Sequence, residues 1–185
     1  MQNHTELANT LNHNLSLLTI IGSVAIIVLI LHVGYRIYIG KPCGLMKFIS
    51  ATIWWISFGV ALAGSFLTLF YSQYLGYAPC DLCWYQRVFL YPQVLIFIYA
   101  GLRKDRSVLP YTLLLSVAGF CIALYHHFLQ IGYDLMKPCS TAPFAVDCAK
   151  PSFVEFGFVT FPFMAVVLFA FLGTLSVIAI KTNHK

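Results

Sequence analysis

The chain has 185 residues, 60% of them hydrophobic and only 9% charged, with a mean hydropathy of +0.83 and a formal net charge of +5. Soluble domains average roughly 45 to 50% apolar and roughly 25% charged residues, so this composition excludes a water-soluble enzyme and indicates an integral membrane protein. The positive balance implies no nucleic-acid partner, because most Lys and Arg fall between or after the apolar runs, as in membrane proteins generally.

Crossing a hydrocarbon core of roughly 30 Å takes about 20 apolar residues. Runs of that kind near Leu15 to Ile39, Ile49 to Tyr74, Tyr85 to Leu102, Leu109 to Ile131 and Gly157 to Ile180 predict five helical spans. The first is no cleaved signal peptide: no Lys or Arg precedes Arg36, the run is too long, and no small-residue cleavage site follows it. Positive charge follows it instead, at Arg36, Lys41 and Lys47, which puts residues 1–14 outside and the next connection in the cytoplasm. Alternation then places Arg103, Lys104, Arg106, Lys181 and Lys185 inside, so eight of the eleven basic residues are cytoplasmic. Residues 1–48 are expected to form an external N-terminus, an extra span and a cytoplasmic connection, and residues 49–185 a four-helix bundle with an external loop over 132–156.

Between the second and third spans lies Pro79-Cys80-Asp81-Leu82-Cys83-Trp84-Tyr85-Gln86-Arg87, a C-x-x-C where a polar turn becomes an apolar helix. Two cysteines at this spacing can close a small disulfide ring, and a helix starting there aims its N-terminal N–H groups at a sulfur and favours thiolate over thiol. Cys83 is the expected thiolate. Arg87, four residues later, lies on the same helix face, whereas the Asp81 carboxylate opposes ionisation.

The topology sorts the remaining cysteines. Cys139 and Cys148 share the outer side with Cys80 and Cys83, in a loop containing Pro138, Pro143 and Pro151. Two dithiol pairs in one oxidising compartment are what a thiol–disulfide relay requires. A static disulfide in this loop, or a four-cysteine zinc site, is the structural alternative for the same residues. The wide spacing of the second pair fits a zinc knuckle poorly, and no metal is assigned. Cys43 is cytoplasmic, and Cys121, in mid-span, is expected to be a small buried apolar residue. The fourth span ends in Tyr125-His126-His127-Phe128-Leu129-Gln130, bringing ionisable rings to the depth of Cys83, where one could hydrogen-bond an acceptor or pass it a proton. Pro92 and Pro162 are expected to interrupt the third and fifth spans and open a cleft.

Taken in order, Cys80-Asp-Leu-Cys83-Trp-Tyr-Gln-Arg87 with Tyr91-Pro92, His126-x-x-x-Gln130, the pair Cys139 and Cys148, and Phe156-Gly-Phe-Val-Thr-Phe-Pro162-Phe-Met resemble the disulfide bond formation protein B family, in its short Gram-positive form. The resemblance covers about Ile49 to Ile180. It implies a four-helix membrane bundle in the bacterial cell membrane that reoxidises an extracytoplasmic thioredoxin-like thiol oxidase and passes electrons to a membrane quinone, ubiquinone or menaquinone. It further implies that Cys139 is attacked by the partner and that Cys148 is its pair. Cys80 would exchange with that pair, and Cys83 would be the thiolate beside the quinone. Arg87 would orient the quinone, and His126 would contribute to the same pocket. The extra first span departs from the family pattern. Relative potentials set the direction of electron flow, and sequence does not give them.

Overall fold

The computed structural model describes residues 2–39, 44–133 and 146–183. They form five α-helices: α1 (Gln2–Ile39), α2 (Gly44–Leu69), α3 (Asp81–Arg103), α4 (Leu109–Gln130) and α5 (Phe161–Asn183). The last turn of α2 widens into a π-helix over Phe70–Tyr74. Helices α2, α3, α4 and α5 close a ring of neighbours, and α1 lies outside it against α5. The chain is thus an all-α membrane protein, a four-helix bundle with an added N-terminal helix. Cys43 and Cys139 lie outside the described residues.

Among the described residues, four segments are long and apolar enough to cross a membrane: Glu6–Arg36, Thr52–Tyr74, Leu109–Gln130 and Phe161–Lys181. Helix α3 is also long enough, 23 residues or about 34 Å. Its apolar character is diluted by Gln86, Arg87 and Gln93, yet Arg87 and Gln93 are buried inside the bundle. There Gln93 accepts a hydrogen bond from Ser116 of α4 at 3.1 Å. Polar side chains in such a helix are tolerable because they meet other helices and not lipid. Helix α1 shows the converse pattern, with Ile21 and Leu31 exposed at 65% and 67%, as expected of a lipid-facing surface.

In lipid, apolar burial gives little net drive for helix association, so close packing and small residues carry it. Glycines allow close approach on two sides of α5: a Cβ on Gly119 of α4 would come within 2.5 Å of the Phe169 ring, and one on Gly64 of α2 would strike the Leu168 side chain, while α4 and α5 are also joined by a polar contact. Thr112 and Ser176 share a buried hydrogen bond of 3.2 Å across the same pair. Phe97, Phe169, Leu172 and Ile178 fill the core between the helices.

Two expectations are corrected. Helix α5 begins at Phe161 and not at Gly157, so Pro162 falls in the first turn, where its missing N–H costs no helical bond, and it starts the helix instead of interrupting it. The residues before it turn back through one antiparallel bridge, Glu155 to Val159, using positive φ at Phe156 (52°) and Gly157 (79°). Cys121 is exposed on the bundle's outside, not buried, because its helix face points away from α3 and α5. Pro92 does sit inside α3, which continues through it from Asp81 to Arg103.

Candidate functional site: a dithiol beside an apolar cavity

The start of α3 places the C-x-x-C. Cys80 is the N-cap residue, with extended backbone (φ −80°, ψ 173°), and its carbonyl accepts the Trp84 N–H at 3.2 Å. Both sulfurs therefore lie at the positive end of the helix, 3.4 Å apart. Cys80 is buried and Cys83 half-buried, and both precede the apolar stretch that begins at Tyr85.

The two thiols are electrostatically unequal. Donation from the Cys80 thiol holds the Cys83 sulfur below the usual thiol range, opposed by burial and helped by the Cys80 backbone N–H and the Arg87 charge. The same hydrogen bond, together with burial, pushes Cys80 up to about 12. These opposite shifts favour ionisation at Cys83 over Cys80. At pH 7, iodoacetamide should modify Cys83 well ahead of Cys80, and Cys80 should lag until strongly alkaline pH. Initial rates followed by peptide mass mapping check this; equal rates would contradict it.

Behind Cys80 stands His126, fully buried at the end of α4. Its Nε2 is 3.6 Å from the Cys80 sulfur and 3.2 Å from the Cys148 carbonyl oxygen. The Gln86 amide nitrogen lies 3.0 Å from Nδ1, and the Gln130 amide nitrogen 3.2 Å from Nε2, so both ring nitrogens are held by side chains of α3 and α4. Gln130, one turn beyond His126, donates to the same carbonyl at 3.4 Å. The C-terminal arm of the loop is thereby fastened to α4. Cys148 is 1% exposed and packs with Cys80, Leu82 and Leu129. Three of the four cysteines singled out by sequence come together; the fourth, Cys139, lies outside the described residues.

On the other side of Cys83 opens a cavity of about 650 Å³, lined by α1, α2 and α5 and by Cys83, Gln86 and Arg87 of α3. Its size is that of small-molecule sites, and it is almost wholly apolar away from the α3 end. Arg87 is buried there. Its Nη2 donates to the Thr68 carbonyl at 2.9 Å, and its guanidinium lies 5.0 Å from the Trp84 ring centre. Nη1 is buried with no hydrogen-bond partner among the described residues. A cationic donor left over at the polar end of an apolar cavity fits an acceptor group such as a quinone carbonyl. His126 is not among the residues lining this cavity, which separates it from Arg87. His127 is tied instead to Thr160, ahead of α5, at 3.1 Å.

Sequence reading gave no role to several of these residues. Gln86, three residues after Cys83, and Gln130, four after His126, follow helical spacing and were findable from it. Thr68, Tyr71 and Asn12 were not, since tertiary packing alone brings them to the site. Tyr71 donates to the Asn12 side chain at 2.8 Å across 59 residues of sequence.

A disulfide formation protein of Oceanobacillus iheyensis, described as probable, is 37% identical over 134 residues, covering 71% of this chain and 88% of that one. Two Bacillus subtilis proteins are similar: the SPbeta prophage-derived disulfide bond formation protein B, 37% identical over 69% of this chain and 85% of its own, and disulfide bond formation protein C, 36% identical over 62% and 80%. No solved structure matches the chain. The family profile described as disulfide bond formation protein DsbB matches residues 50–179, which contain the dithiol, both histidines and Cys148, and the chain belongs to that family of disulfide-forming membrane oxidoreductases.

Proposed function

We propose that the protein reoxidises an extracytoplasmic thioredoxin-like dithiol oxidase and delivers the electrons through two cysteine pairs to a membrane quinone. The observation that carries this reading is the position of Cys83. Its sulfur touches Cys80 and the relay on one side and lines an apolar cavity with an unsatisfied Arg87 donor on the other.

In the relay, a partner thiolate attacks the Cys139–Cys148 disulfide at Cys139 and releases the Cys148 thiolate. The partner's second thiol then displaces Cys139, leaving the partner oxidised and the loop pair reduced. The loop pair in turn reduces a Cys80–Cys83 disulfide, and two electrons and two protons have moved from the partner to that pair. Burial of Cys148 against Cys80 supports this last exchange, and the His126 ring, with Nε2 3.6 Å from the Cys80 sulfur, is placed to move a proton to or from Cys80. A quinone held by Arg87 and the cavity walls would supply a two-electron, two-proton acceptor that is soluble in the bilayer. Arg87 positions and polarises, while the apolar walls exclude water and strengthen that charge.

We place the redox end outside and the C-terminus in the cytoplasm of a bacterial cell membrane. The supporting pattern is basic: Arg103 ends α3, and Lys104 and Arg106 lie between α3 and α4, at the end of the bundle opposite the cysteines. We assign the chemistry to residues 49–185. The test is purified protein mixed with a reduced thioredoxin-like partner and a quinone, followed by quinone absorbance and thiol titration. Quinone loss matched by about two partner thiols per molecule is expected; a static quinone signal with unoxidised partner would refute the reading.

One observation favours a second reading. The ligand atoms of Cys80, Cys83 and His126 all lie within 4.8 Å of one another, a grouping that could hold a thiophilic cation such as zinc. It would require the Gln86 amide to turn so that its oxygen accepts a hydrogen bond from Nδ1–H, freeing Nε2. Stoichiometric zinc in protein purified without reductant, with no turnover, would favour a structural metal site over the relay.

A further inference from the structure

We propose that α1, which lies outside the family match, forms the wall of the acceptor site that binds the quinone's apolar side chain, and so sets selectivity for tail-bearing quinones. The inference rests on the quinone reading above and extends it to a helix with no assigned role. The family match begins at residue 50, whereas the cavity beside Cys83 is lined along one side by Leu15, Leu18, Gly22, Ala25, Ile26 and Leu29. Those positions recur at intervals of three and four and so share one face of α1, over about 21 Å of helix.

The cavity is polarised along its length. Cys83, Arg87, Thr68 and Tyr71 gather at one end, and aliphatic side chains from α1, α2 and α5 line the rest. A polar end followed by a long apolar trough matches an amphiphile with a hydrogen-bonding ring and a hydrocarbon tail. Helix α1 packs mainly on α5. It is pinned to the head end by the buried hydrogen bond from Tyr71 to Asn12, 2.8 Å long, with Asn12 only 3% exposed. Fixing the helix there sets the spacing of the trough, since Tyr71 itself belongs to the π-helical turn that lines the cavity.

Space at the wall makes the test direct. A Cβ on Gly22 would meet only Val167, at 3.8 Å, so a larger side chain there enters the trough without striking backbone. Gly22→Leu and Ala25→Phe fill the trough, and Val24→Phe, at a position 57% exposed and outside the lining, is the control. Equilibrium binding and steady-state reduction are measured with decyl-substituted benzoquinone and with the same ring lacking the tail. The two filling variants should raise Kd and KM for the decyl compound about tenfold, equivalent to about 1.4 kcal/mol. They should leave the tail-less ring, its kcat and the Val24→Phe protein within about twofold of wild type. Equal weakening toward both compounds, or no change toward either, overturns the proposal. Wild-type protein that binds neither compound overturns the quinone reading itself, and this inference with it.

Discussion

Replacing Arg87 with Met should slow quinone reduction about 100-fold while thiol exchange between the partner and the loop cysteines continues. The side chain is 7% exposed, lines the cavity with Cys83 and keeps one guanidinium nitrogen unsatisfied, so it is a donor held ready for charge that develops on an acceptor oxygen. Met removes both charge and donors, and Lys restores charge without the planar fork, so Arg87→Lys should fall between the two. The Cys83 pKa should move less than the rate does. The main cause of its depression is the Cys80 thiol, with Arg87 behind it, so most of the thiolate survives in Arg87→Met. Structural collapse is not expected either, because the Thr68 carbonyl that loses Arg87 still accepts from Ser72 Oγ at 2.9 Å. A residue that merely anchored α3 at the headgroups would give normal quinone kinetics with altered insertion or stability. Measuring quinone reduction, Cys83 titration and thermal stability on one preparation separates the cases, and unchanged rates would sink the assignment.

Cys148→Ala should abolish partner-dependent quinone reduction, down to the uncatalysed background. Cys148 is the loop sulfur buried against Cys80, and without it the loop can neither form its disulfide nor pass electrons inward. Cys139 then retains one reaction: its thiolate attacks an oxidised partner, releases one partner thiol and forms a mixed disulfide with no neighbouring loop thiol to resolve it. Non-reducing gels of Cys148→Ala incubated with oxidised partner should show this adduct. It should vanish on reduction and in the Cys139→Ala, Cys148→Ala double variant. An adduct formed by Cys80→Ala but not by Cys148→Ala would mean that the partner enters at the C-x-x-C.

The helices were readable from composition because a bilayer imposes one simple demand, about 20 apolar residues with every backbone group satisfied internally. The C-x-x-C and its helix start were readable for a local reason: capping and charge at a helix N-terminus depend on neighbours in sequence, and Cys80 is indeed the N-cap of α3. Pro162 misled because a proline acts oppositely in the first turn and in a helix interior, and a start placed at Gly157, four residues before Phe161, decides which applies. His126 was legible as a residue at the right depth, but not as one facing Cys80 instead of the cavity, since that depends on the rotation of α4 about its axis. The part played by α1 was hidden for the same kind of reason. Its lining face and its lipid face are equally apolar, so no amphipathic pattern distinguishes them, and only packing against α5 shows which side the cavity takes.

The proposed function requires Cys80 and Cys83 to be the pair that hands electrons to the acceptor in the adjacent cavity. The most direct measurement removes everything upstream: the Cys139→Ala, Cys148→Ala protein, its C-x-x-C reduced beforehand and excess reductant removed, is mixed anaerobically with decyl-substituted benzoquinone without any partner. A single turnover is expected, with about one quinone consumed and about two thiols lost per protein, both on Cys80 and Cys83 by mass mapping. Full retention of both thiols with no loss of quinone absorbance would contradict it.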